Sequence, residues 1–229
     1  MENINEKPVI LFGIGVVSEC VVAYFSDQPR YKITGVVVDN KFKRSEQFMG
    51  LPLYAYQDLH ENYRPDEVNI VVCIGYSNLN KDRLKVSERL LSDGWQLGSL
   101  IHGANYLRNF TFAQNTILMP NVNIQPHVDV GEGNIFWPGS MIGHHSKVGA
   151  YNWFTSNSLI GGNTQIGSFN FFGMGATILN NVRVDDENIV NANCTIDKRT
   201  DLGDVYFYNQ AAKHRMKSLS FAKMTNFGQ

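Results

Sequence analysis

Two adjacent histidines, His144 and His145, directly follow Ile142-Gly143. Eighteen residues further on stands Gly162, inside Ile160-Gly161-Gly162-Asn163. An imidazole brought beside a glycine whose backbone N–H no side chain shields would join a base to an oxyanion donor. Acyl transfer needs that pair. The base relieves the attacking atom of its proton, and the donor stabilises the charge gathering on the carbonyl oxygen. The two histidines could equally be ordinary turn residues at the surface. His60, His102 and His214 lie in other segments, and His127 is read as more than one structural repeat away, so all four are weaker candidates. A metal held by three converging imidazoles needs separated histidines at successive turns, a pattern this chain lacks, so no metal is expected.

A repeat is what could bring residues 144 and 162 together. Seventeen residues spaced six apart, from Tyr106 through Phe112, Leu118 and Ile124 to Ile196 and Leu202, are all apolar or aromatic. A helix has a period near 3.6 and a strand a period of 2, so neither explains a strict six. A β-helix solenoid does: six residues make one flat side and one corner, and three sides close a coil of eighteen. Residues eighteen apart then sit one coil above one another, about 5 Å away, the spacing of neighbouring strands. Gly follows the inward residue at 131, 143, 149, 161, 167, 173 and 203, where a side chain is expected to crowd the corner. Small or modest residues recur four places after it, as at Ser140, Ser146, Ser158, Thr164, Ala176 and Cys194.

Before residue 102 the pattern is different. Strands are expected over 8–12, 33–38, 68–74 and 95–101, with helices marked by Val17, Val21, Val22 and Phe25 and by Leu84, Leu90 and Leu91. Strands alternating with helices predict a small parallel α/β unit of the Rossmann type. Its first strand ends in Gly13-Ile14-Gly15-Val16-Val17-Ser18. Such a loop either cradles a diphosphate at a helix N-terminus or is simply a tight strand–helix turn. Asp39 and Asn40 follow the second strand, where a carboxylate can accept hydrogen bonds from ribose hydroxyls. The third strand runs into Gly75-Tyr76-Ser77-Asn78-Leu79-Asn80-Lys81-Asp82-Arg83. Tyr76, Asn78, Asn80 and Arg83 could contact a base, diphosphate or sugar, or Asn78 and Asn80 could cap the next helix.

The chain has 229 residues and a net charge of −1, which argues against nucleic acid or an anionic membrane as partner. Cys20, Cys73 and Cys194 sit among apolar residues without CxxC spacing and are expected to be reduced thiols. With no basic leader, no secretory signal and no apolar run long enough to span a bilayer, a cytoplasmic protein is expected. The expected division is 1–101 for the α/β unit, 102–205 for the solenoid and 206–229 for a tail.

The glycine loop, the Asp39 strand tip, the Leu100-Ile101-His102 link and a hexapeptide solenoid with a corner histidine together resemble one family. It comprises the bacterial sugar-nucleotide acetyltransferases related to the bacillosamine-pathway N-acetyltransferase and to sialic acid O-acetyltransferases. The resemblance implies a left-handed parallel β-helix and a homotrimer with active sites between subunits. It also implies acetyl-CoA as co-substrate and a nucleotide-linked amino sugar as acceptor. By position, His144 matches the catalytic histidine, and Gly162 the glycine whose N–H faces the thioester. Gly161, Gly173, Gly175 and Ala176 would border acetyl-CoA, while Gly13, Gly15, Ser18, Asp39, Asn40, Gly75, Tyr76, Asn78, Asn80 and Arg83 would border the sugar nucleotide.

Two departures stand out. The family's Glu or Asp after the histidine is His145 here, and a further histidine nine residues on is Trp153, which predicts a more apolar wall facing the sugar. The implied activity is N-acetylation in surface-polysaccharide biosynthesis. O-acetylation of a sugar hydroxyl and a non-catalytic sugar-nucleotide scaffold stand as alternatives. In the tail, Lys213, Arg215, Lys217 and Lys223 could meet CoA phosphates or line a solvated helix.

Overall fold

The computed structural model describes residues 7–103, 110–208 and 215–225. Its N-terminal unit comprises β1 (Val9–Phe12), α1 (Val16–Phe25), β2 (Ile33–Val38), β3 (Gln47–Phe48), β4 (Leu51–Ala55), α2 (Leu59–Asn62), β5 (Asn69–Val72), α3 (Lys81–Ser92) and β6 (Gln96–Leu97). One sheet runs β3-β4-β2-β1-β5-β6, parallel except for the β3–β4 hairpin. Positive φ at both Met49 and Gly50 turns that hairpin, which the sequence reading did not anticipate. β1, with every residue buried, lies between β2 and β5. The chain leaves these strands in opposite directions, which opens a crevice at their C-terminal ends.

The expected strand over 95–101 is two strands. β6 pairs with β5, whereas Leu100–Ile101 pairs with Ile117–Leu118 in the solenoid. The crossover therefore falls at Gly98-Ser99, a few residues before the expected boundary.

From there the chain winds into a parallel β-helix with three faces. Ile117–Leu118, Ile135–Phe136, Trp153–Phe154, Phe171–Phe172 and Ile189–Val190 stack on the first, or docking, face. The second carries Asn123–Ile124, Met141–Ile142, Leu159–Ile160, Thr177–Ile178 and Thr195–Ile196. The third carries Phe110–Phe112, Val128–Val130, Lys147–Val148, Gln165–Ile166 and Arg183–Val184. Sixth residues from Leu118 to Ile196 fill one core, with Phe112 half-buried at its edge. Phe136, Phe154 and Phe172 stack inside it with centroids 4.5 and 4.8 Å apart, each pair contributing about 0.5–1.5 kcal/mol beyond its buried area.

The series fails at one end, and Tyr106 at the other lies outside the described residues. Leu202 is 67% exposed. The last coil runs short: Val205–Tyr206 pairs with Ile189–Val190 sixteen residues on, so Tyr206 closes the core in place of a six-spaced residue.

Corner chemistry follows the coil spacing. A Cβ on Gly143 would lie 2.4 Å from Gly162 N, and one on Gly173 2.4 Å from Ala192 N, so stacked coils exclude side chains there. Gly203 differs, with open space around it and φ +76. The third residue after each inward one, from Asn115 to Asn193, has positive φ. Asn and Gly accept this conformation readily, and His more readily than most. Tyr151, Phe169 and Glu187 hold it at φ 55, 61 and 61, at about 1–2 kcal/mol each.

Those three residues mark where the N-terminal unit docks. α3 and its lead-in lie along the edge between the docking and third faces. Asn80 Nδ2 donates to Tyr151 O at 2.8 Å, Arg83 Nη1 donates to Gly133 O at 2.6 Å, and Lys81 pairs with Glu187 at 2.8 Å. Val72 N–H donates to Asn115 Oδ1 at 3.0 Å. On the docking face itself Ile117, Ile135 and Trp153 join α1 in one core.

Arg83 is fully buried, and that burial draws its guanidinium down to about 10, still charged at neutral pH. Arg83→Ala strands the Gly133 carbonyl and is expected to cost about 1.5–3 kcal/mol of stability, read by denaturant unfolding.

Cys73 and Cys194 are buried and Cys20 is half-buried, all three as free thiols. Burial pushes Cys73 up to about 12. Among the described residues, no helix is long and apolar enough to cross a membrane.

Candidate active site

His144 and His145 occupy the edge between the second and third faces, opposite the docking face. Gln125 Oε1 takes the His144 N–H at 2.9 Å, and Pro126 O takes the His145 N–H at 3.1 Å, so the corner backbone is held from the coil below. The His144 ring lies over Gly162. A Cβ there would come within 2.8 Å of Cε1 and 2.9 Å of Nε2, so only glycine fits beneath the imidazole. His144 Nδ1 lies 3.1 Å from His145 Nδ1. One nitrogen donates and the other accepts, which leaves Nε2 as the free position on His144.

Two expectations about this edge need correction. The Gly162 N–H is not unshielded: it donates to Asn180 Oδ1 at 2.7 Å, from the next coil up. His127 is not remote either. It lies one coil from His145, and the two rings are 4.6 Å apart. A count of eighteen from Gly162 and from His145 would have found both residues. Among the described residues no three His, Cys, Asp or Glu side chains converge as a metal site. His60 stacks on Trp95, His102 meets Gln28, and His214 lies outside the described residues.

Of the other acyl-site expectations, Gly161 shares the His144 edge. Gly173, Gly175 and Ala176 lie on a different edge, between the docking and second faces, and Ala176 is wholly buried. Within one chain they are not brought to His144. Trp153 does not form an open wall: it is 2% exposed, packed against Tyr76 at 5.1 Å and Trp137 at 6.0 Å.

The crevice of the N-terminal unit encloses about 530 Å³, and Gly13, Asp39, Gly75 and Ser77 line it. Gly13 needs φ +124, and a Cβ would strike Ile74 and Cys73 O. Gly15 caps the start of α1 with nothing within 4 Å of where a Cβ would point, and Gly75 is equally open. Gly75 leaves room for a ligand against the crevice backbone, whereas Gly15 lies outside the residues that line it. Lys41, Phe42 and Lys85 also line the space, and the sequence reading missed all three. Asp39 already pairs with Arg89 of α3 at 2.8 Å, and Arg89 lies 4.4 Å over the Tyr56 ring.

The remaining expected nucleotide contacts divide. Ser18 is buried and donates to Gly13 O at 2.7 Å, so it braces the loop and cannot reach a ligand. Asn80 and Arg83 face the domain interface, as above. Tyr76 turns to Trp153 and Phe171. Asn78 is exposed at φ 52, and Asn40 is exposed at the start of the turn after β2; neither lines the crevice.

No family model and no curated protein matches the chain. Solved structures do. The acetyltransferase domain of PglB from Neisseria gonorrhoeae FA1090 aligns with a TM-score of 0.72 at 20% identity, over 87% of this chain and 96% of that one. The same domain in complex with acetyl coenzyme A gives 0.68 at 20% identity, over 84% and 93%. PerB from Caulobacter crescentus, in complex with CoA and GDP-perosamine, gives 0.73 at 20% identity, over 86% and 94%. The chain has the parallel β-helix fold of these hexapeptide-repeat sugar acetyltransferases.

Proposed function

We propose that this protein is an acetyl-CoA-dependent N-acetyltransferase acting on a nucleotide-linked amino sugar, in surface-polysaccharide biosynthesis in the cytoplasm. The observation that carries the reading is the His144 imidazole packed over Gly162 with Nε2 free. The fold shared with structures that hold acetyl coenzyme A, or CoA with GDP-perosamine, supports it. The N-terminal unit acts as a Rossmann-like holder of one nucleotide, its diphosphate against Gly13, Gly15 and the start of α1, with Asp39 toward the ribose.

The neutral amine attacks the thioester carbonyl carbon; the C–N bond forms as the C=O electrons move onto oxygen. His144 Nε2 takes the amine proton, the C=O re-forms as the C–S bond breaks, and the leaving thiolate takes that proton from His144 to become CoA, which restores the base. The carbonyl oxygen takes the Gly162 N–H in exchange for Asn180 Oδ1, a trade that becomes favourable as negative charge develops. An amine needs less from the base than a hydroxyl does. His145, standing where a carboxylate would raise the basicity of His144, therefore favours N- over O-acetylation.

One chain does not complete this site, because the His144 edge is opposite the face that carries the N-terminal unit. A homotrimer of left-handed β-helices, with the crevice of one copy opening toward the His144 edge of another, completes it.

The test is thiol release from acetyl-CoA with UDP-, dTDP- and GDP-linked amino sugars and the matching hydroxy sugars. Turnover with an amino sugar alone is expected. Turnover with a hydroxy sugar alone would replace the reading with O-acetylation, and nucleotide binding without turnover would favour the scaffold. Within this reading, Gly75→Val fills the crevice. It is expected to weaken sugar-nucleotide binding about 10–100-fold by calorimetry, the equivalent of one or two charge-assisted hydrogen bonds, while changing stability by no more than about 0.5 kcal/mol, since nothing crowds a side chain there.

A further inference from the structure

His127 has no part in the chemistry above, yet it touches it through one ring. His127 and His145 hold the left-handed conformation at φ 63 and 58, one coil apart. Their rings lie 4.6 Å apart with planes 37° from parallel. The His145 ring stands nearly upright to His144, at 84°, and meets it nitrogen to nitrogen at 3.1 Å. Three imidazoles thus run in series, His127, His145, His144, and the last lies over Gly162.

The contact between the two Nδ1 atoms holds a single hydrogen, and its owner decides what His144 can do. With the hydrogen on His144 Nδ1, its Nε2 carries the lone pair. With the hydrogen on His145 Nδ1, a neutral His144 carries its own on Nε2 and can take no proton there. His145 is exposed, so its side chain is limited by two contacts, the His144 nitrogen and the tilted His127 ring packed against it.

We propose that His127 is a positioning residue: packed against His145, it holds that ring with Nδ1 turned to His144 Nδ1, where it can accept the His144 Nδ1–H and so keep His144 Nε2 free as the base. This rests on the reading of His144 given above. When Nε2 takes the amine proton, the Nδ1–H stays in place and its bond to His145 becomes charge-assisted. The stacked pair then does what a carboxylate would do for orientation, without supplying its charge.

The test is ¹⁵N NMR of the imidazoles in the full chain, with kcat and KM measured beside it, for His127→Ala and His127→Phe. Phenylalanine suits this corner, as Phe169 holds the same conformation at φ 61. In the wild type His144 is expected as the Nδ1–H tautomer. His127→Ala should mix the tautomers and lower kcat about tenfold at unchanged KM, as when a second residue that orients an imidazole is lost; His127→Phe should restore both. Unchanged tautomers in His127→Ala, or mixed tautomers persisting in His127→Phe, would overturn the proposal. A silent His144→Ala would instead remove the base itself and leave the tautomer result standing on its own.

Discussion

His144→Ala is expected to lower kcat by about 10²–10⁴-fold, the range for losing a positioned general base. Its KM for the sugar nucleotide should stay near the wild-type value, because the crevice proposed for the nucleotide belongs to the N-terminal unit. Stability should change by no more than about 0.5 kcal/mol, since the side chain is exposed and the corner is held by backbone and Gln125 contacts. Steady-state kinetics with a thermal melt separate these effects. A variant that kept full activity would remove His144 from the mechanism.

The second large effect is expected at Gly162. A Cβ there must displace the His144 ring, since Cε1 and Nε2 would lie 2.8 and 2.9 Å away. The ring sits at the surface and can move, so Gly162→Ala should fold. The imidazole would shift by about an ångström, a misplacement that costs on the order of 10²-fold. The expected signature is a fall in kcat with oligomeric state and sugar-nucleotide affinity unchanged. If kcat were unaffected, the geometry under the imidazole would not matter to the reaction.

How much of this was legible in the residues depends on which physical constraint wrote the pattern. The six-residue period was plain, because each of the three sides of every coil from Leu118 to Ile196 must send one side chain into the same core. Leu202 misled, because a coil two residues short leaves the spacing in the sequence but shifts the chain in space. Stacking of His144 on Gly162 followed from the coil length, and so did Asn180 and His127, had the same count been applied to them.

The docking face was also written in the chain. Ile117, Ile135, Trp153, Phe171 and Ile189 precede the inward residues there, where the third face has Thr111, Asp129, Lys147, Gln165 and Arg183. Asn80 and Arg83 were unreadable by comparison. A polar residue at a strand end looks the same whether it meets a ligand or another domain, and only the fold put Tyr151 and Gly133 opposite them.

The account turns on a site shared between copies, and subunit complementation tests that most directly. His144→Ala keeps the crevice and loses the base, while Gly75→Val keeps the base and fills the crevice. Each alone should be nearly inactive at sugar-nucleotide concentrations below the wild-type KM. Co-expressed in equal amounts, random mixed trimers should carry one intact site in most assemblies, returning about a quarter of wild-type turnover. A mixture as inactive as its parents, in trimers shown by mass to contain both chains, would place base and crevice in the same copy and contradict the shared site.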